Sequence, residues 1–211
     1  MRSNSWTPSQ VAAYLGLTEV LSELVVKLDR SKKDKELPKA TEYAARKGHA
    51  NVVRVLAELG VKAEGALLGA SRLGDEATVT ELLKTHRTYI NSRGGPDGVY
   101  APLLEAARCG HVDSFAKLLS EGDPVAMAAH TKLTALHLAA RIGQLAIVRL
   151  LITAQVPVAS IDEQGYRALH YEAEGGFEEI VSMIIAANDS ETLPRKSRVW
   201  RGLLINGRQG I

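Results

Sequence analysis

With one cysteine, Cys109, the chain can close no internal disulfide, and a secreted protein of its 211 residues would more often carry an even set. That favours the reducing interior of a cell, so the expected location is cytoplasmic, with the nucleus as the alternative. No stretch approaches the roughly 18 apolar residues of a membrane span, and the N-terminal MRSNSWTPSQ lacks the apolar centre of a secretory signal. Neither sign of charge prevails: 26 Lys and Arg against 24 Asp and Glu leave +2, too little on its own to argue for nucleic acid. Aromatic residues are only 5%, while Ala and Leu are plentiful, a composition suited to thin helices packed closely together. The signatures of common catalytic sites are missing too. There is no G-x-x-x-x-G-K-S/T loop, G-x-S-x-G elbow or H-E-x-x-H helix, and Gly94-Gly95-Pro96-Asp97-Gly98 reads as a hairpin tip. No enzyme and no cofactor are expected.

What is present is a period. Thr134-Ala135-Leu136-His137 returns 33 residues later as Arg167-Ala168-Leu169-His170, and the same step in the other direction reaches Ala101-Pro102-Leu103-Leu104. The frame continues with altered spacing through Gly65, Lys39 and Thr7, so six copies opening near residues 7, 39, 65, 101, 134 and 167 occupy residues 1–187. A glycine recurs at Gly16, Gly48, Gly74, Gly110, Gly143 and Gly176, at intervals of 32, 26, 36, 33 and 33. The short interval predicts a trimmed loop between Leu59 and Gly65, and the long one a lengthened loop around residues 91–98.

The best copy, TALHLAARIGQLAIVRLLI, resembles the ankyrin repeat, whose pattern T-P-L-H-x-A-A-x-x-G-H-x-x-I/V-V-x-x-L-L has a period of about 33 residues. The resemblance implies an all-α fold, a solenoid of antiparallel helix pairs joined by hairpin loops. It also implies a non-enzymatic protein–protein interaction module or adaptor that holds a partner in the concave groove of its first helices and hairpin tips. A monomer is expected. Residue physics agrees with the frame. Apolar residues at i, i+3, i+4 and i+7 make amphipathic helices, Thr7 and Thr134 suit N-caps, Pro8 and Pro102 suit the first helical position, and the glycine column suits left-handed helix ends. Thr134, His137 and His170 are expected to be structural. Four copies lack the tetrapeptide histidine, so the N-terminal half is expected to fray first.

The column after each Ala-Ala holds Tyr14, Arg46, Arg72, Arg108, Arg141 and Glu174. Facing the groove, its four arginines would form a cationic ladder for a protein with an acidic surface or segment; a solvated row of helix ends is the competing reading. The expected partner-binding residues are Tyr14, Arg46, Arg72, Arg108, Arg141 and Ile142, with Arg93 and Asp97 on the long hairpin. The histidines fall about one repeat apart and predict no metal site. Arg108 beside Cys109 favours a thiolate, but no positioned base accompanies it, so an exposed bystander thiol is expected. Residues 188–211 are expected to form a basic capping helix or tail. Nucleic-acid or anionic-membrane association through Arg195, Lys196, Arg198, Arg201 and Arg208 is the alternative function.

Overall fold

A computed structural model describes residues 6–85, 90, 101–122 and 131–189. Among these residues every regular element is an α-helix, and the twelve helices form six consecutive pairs: α1 (Pro8–Tyr14) with α2 (Thr18–Lys27), α3 (Arg30–Lys47) with α4 (Ala50–Glu58), α5 (Glu64–Leu73) with α6 (Glu76–Thr85), α7 (Pro102–Cys109) with α8 (Val112–Glu121), α9 (Ala135–Arg141) with α10 (Leu145–Thr153), and α11 (Ala168–Gly175) with α12 (Glu178–Asp189). Odd-numbered helices pack on one another in order and form an inner layer. Even-numbered helices do the same outside them.

Side-chain size explains the two layers. Inner helices bury alanine pairs, Ala12-Ala13, Ala44-Ala45, Ala106-Ala107 and Ala139-Ala140, which let successive backbones approach closely. Outer helices bury the bulk, including Leu21, Leu56, Leu82, Phe115, Ile147 and Ile184. The core is therefore one continuous seam between neighbours rather than a centre, and each pair depends on the next.

Helix starts follow the sequence closely. Thr7 and Thr134 close capping boxes with Gln10 and His137, and Pro8 and Pro102 stand in the first turns of α1 and α7. Helix α3 differs from the expected opening near residue 39. Asp29 caps it, accepting from the Lys32 amide at 2.8 Å, and it runs 18 residues with Pro38 inside. Buried Leu37 anchors this extension, which explains why a highly charged stretch is held as helix. The short loop predicted after Leu59 is present between α4 and α5. Most of the predicted long hairpin, with Arg93 and Asp97, lies outside the described residues, as do residues 190–211 and hence the basic C-terminal segment.

Candidate functional site

The six-glycine column has φ between 71° and 79° and forms one edge of the stack, where each inner helix turns into its outer partner. The residue after each glycine packs back on the preceding glycine. The ring of His49 lies against Gly16, that of His111 against Gly74, Gln144 against Gly110 and Phe177 against Gly143. Both histidines are further fixed through Nε2–H, which donates to the Tyr14 carbonyl at 2.9 Å from His49 and to the Arg72 carbonyl at 3.0 Å from His111. These bonds satisfy free carbonyls at helix C-termini and tie adjacent pairs together. The N-terminal half thus has inter-repeat ties of its own, independent of the tetrapeptide histidine that it lacks.

In the C-terminal half the tetrapeptide histidines supply the ties. His137 donates from Nε2 to the Tyr166 carbonyl in the next unit at 3.1 Å, while its Nδ1 accepts from the Thr134 amide at 3.2 Å and faces Thr134 Oγ1 at 2.8 Å. His170 Nδ1 repeats the amide contact, accepting from the Arg167 N–H at 3.0 Å. Burial pushes the His137 imidazole pKa down, outweighing the Tyr166 carbonyl and the Asp162 charge that would raise it. Folded His137 therefore stays neutral where the unfolded side chain, near 6.5, takes up a proton. Its stabilisation is fully present above about pH 6.5 and falls as the pH drops below it, by at most about 1.4 kcal/mol per pH unit. Urea midpoints at pH 7.5 and 5.5 should show this loss, and His137→Gln should reduce the slope between them.

The four arginines of the expected ladder all point to solvent, but they are not equivalent. Glu105, on the inner face of α7 with its side chain 1% exposed, accepts from Arg72 Nε at 2.5 Å and from Arg108 Nη2 at 2.7 Å and Nε at 3.1 Å. Burial pushes its carboxyl up; the hydrogen bonds and charges of Arg108 and Arg72 outweigh that and hold it below its ordinary value. Two rungs of the ladder are thus engaged in an internal triad. The stem of Arg46 lies over Gly69 of the next inner helix, and neither Arg46 nor Arg141 makes an ion pair among the described residues. Sequence reasoning missed Glu105, although its signal was present: it stands one 33-residue step beyond Arg72 and at the position where Leu138 and Tyr171 stand in later copies.

Tyr14 is also committed internally. Half-buried, it meets the edge of Trp6 at 5.0 Å, carries Lys47 Nζ over its ring at 4.5 Å, and Trp6 in turn stacks on Tyr43 at 4.6 Å. Cys109 is half-buried rather than exposed, and burial pushes its thiol pKa up, outweighing the Arg108 charge that would lower it. Ile142 is exposed beside Arg141. Among the described residues no cluster of three or more His, Cys, Asp or Glu side chains is placed to hold a metal, and no helix is long and apolar enough to cross a membrane.

A family model described as ankyrin repeats (3 copies) matches residues 103–193, which span the helices from α7 to α12. Comparison with curated proteins finds no matching relative.

Proposed function

Because this chain is an ankyrin-repeat protein, and ankyrin repeats serve generally as protein–protein interaction modules, we propose that it is a non-enzymatic binding module that takes an acidic partner along the C-terminal ends of its inner helices. One observation carries the reading. Arg46, Lys47, Arg72, Arg108 and Arg141 stand exposed in the last turns of α3, α5, α7 and α9, and Glu105, the carboxylate among them, is buried beneath. Cations there complement the helix dipoles, but the dipoles do not require five of them on one edge. A stable complex would bury on the order of 1,200 to 2,000 Å² in total. The protein acts as a monomer inside the cell, where lone, half-buried Cys109 stays reduced.

The test is charge reversal at the two arginines that do not serve the Glu105 triad. A partner captured on the wild-type chain should bind Arg46→Glu with Arg141→Glu at least tenfold more weakly, while the chain stays folded with a urea midpoint lowered only by the lost helix-end interactions, about 1 kcal/mol each. Equal affinity for the double variant would remove the basis for this reading.

A further inference from the structure

The residue just before each glycine of the column follows a second pattern. Leu15 and Ile142 cap α1 and α9, and Lys47, Leu73 and Cys109 end α3, α5 and α7. Leu15, Leu73 and Ile142 are 56%, 44% and 38% exposed, so apolar side chains face solvent in the first, third and fifth pairs. Lys47 and half-buried Cys109 stand between them. The preceding position, one step round each helix, holds Tyr14 in the first pair and an arginine in the next four, so a row with three exposed apolar residues over five pairs runs beside a cationic row over four.

The spacing of the rows selects the shape of what fits them. Packed helices lie about 8 to 10 Å apart, which sets the step expected between successive residues of each row. A polyproline II segment places every third residue on the same face, advancing about 9.3 Å per turn. It therefore keeps in step with the stack. An α-helix returns to the same face after about 5.4 or 10.5 Å and drifts out of register within a few units, while a β-strand alternates faces every residue. From this match we infer that the edge accommodates a proline-bearing polyproline II segment of about 13 residues, with one face presenting apolar residues and the next carboxylates. Read from Leu15 to Ile142, the segment faces the row with an apolar residue, an acid opposite Lys47, an apolar residue, a small residue opposite Cys109 and an apolar residue, each three positions after the last. Its acidic face meets Arg46 and Arg141 and the outer nitrogens of Arg72, and its third face, turned to solvent, is where proline is accommodated.

This inference rests on the groove reading above and specifies the partner. It is tested by fluorescence anisotropy with a labelled peptide of about 13 residues repeating Leu-Glu-Pro, with glutamate in place of leucine opposite Lys47 and alanine opposite Cys109. The peptide should bind with an affinity that weakens as salt rises, and at least tenfold more tightly than either a scrambled peptide or one with alanine for every proline. Leu73→Asp with Ile142→Asp should weaken it at least tenfold. Lys47→Glu should do the same and should recover binding to a peptide with lysine opposite that position. Equal binding of the scrambled or alanine peptide, indifference to both sets of substitutions, or no binding at millimolar protein would overturn the inference. A captured partner that needs Arg46 and Arg141 yet ignores Leu73→Asp with Ile142→Asp would overturn it while leaving the groove reading in place. Loss of the arginine dependence would defeat that reading instead.

Discussion

Replacing Gly74 with alanine is expected to cost about 3 to 5 kcal/mol of stability, among the largest effects of any single methyl addition in this chain. Gly74 ends α5 at φ 79°, a left-handed conformation that costs a residue with a Cβ about 1 to 2 kcal/mol. The larger part comes from packing. An alanine Cβ would fall inside the van der Waals shell of the His111 ring, and that ring is held in place by its bond to the Arg72 carbonyl, so it cannot yield without losing the bond. Gly60→Ala is the control, since Gly60 shares the left-handed conformation at φ 73° but has nothing within 4 Å of an added Cβ. Its cost should stay near about 1 to 2 kcal/mol. Urea unfolding followed by far-UV circular dichroism would compare the two. A fall in the slope as well as the midpoint of Gly74→Ala would show the stack parting between the third and fourth pairs, as a one-dimensional array of coupled units should. Equal midpoints for the two variants would mean that the His111 contact contributes nothing.

Gly74 also shows what the sequence could and could not convey. Its role as a helix end was readable from the period alone, because a glycine recurring six times at a near-constant step marks a backbone turn that every unit repeats. Its second role, as a seat for the side chain that follows the glycine of the next unit, was not, because that neighbour is His, Asp, Gln or Phe in different copies. The same distinction runs through the whole chain. Features written in the repeat frame itself, such as the Thr7 and Thr134 caps, the alanine pairs of four inner helices and the short loop that the 26-residue interval demands after Leu59, follow from pattern. Contacts between units depend on which side chains happen to meet. Tyr14 was a plausible anchor by type, but Trp6, outside the repeat frame, reaches back to it and stacks on Tyr43. Helix α3 likewise begins ahead of its repeat because Asp29 and Leu37 support about two turns that the period does not contain.

Removing both guanidiniums from Glu105, as Arg72→Met with Arg108→Met, is the other substitution expected to have a large effect, and it bears directly on how the groove must be probed. A buried ion pair broken by removing one side typically costs about 3 to 5 kcal/mol, because a charge is left without a partner. Here the arginines are 52% and 40% exposed, so water enters the space they vacate and the cost falls to about 2 to 3 kcal/mol. The sign of the accompanying pH effect follows from the depressed folded pKa. In the wild type the Glu105 contribution is complete above about 4.5, its unfolded value, and is lost as the pH falls through the lower folded value. In the double variant burial acts unopposed, the folded pKa rises, and the dependence reverses: stability should improve as the pH falls towards 4.5, where the carboxyl can be protonated. Adding Glu105→Leu should recover most of the loss at neutral pH, since an apolar side chain of similar length suits the site when no cation faces it. Failure of that rescue would mean that the arginines stabilise the stack by covering apolar surface with their stems, and that Glu105 only follows them. Either way, charge reversal at Arg72 or Arg108 acts on folding before it acts on binding, which leaves Arg46 and Arg141 as the positions where a change in affinity reports on the partner.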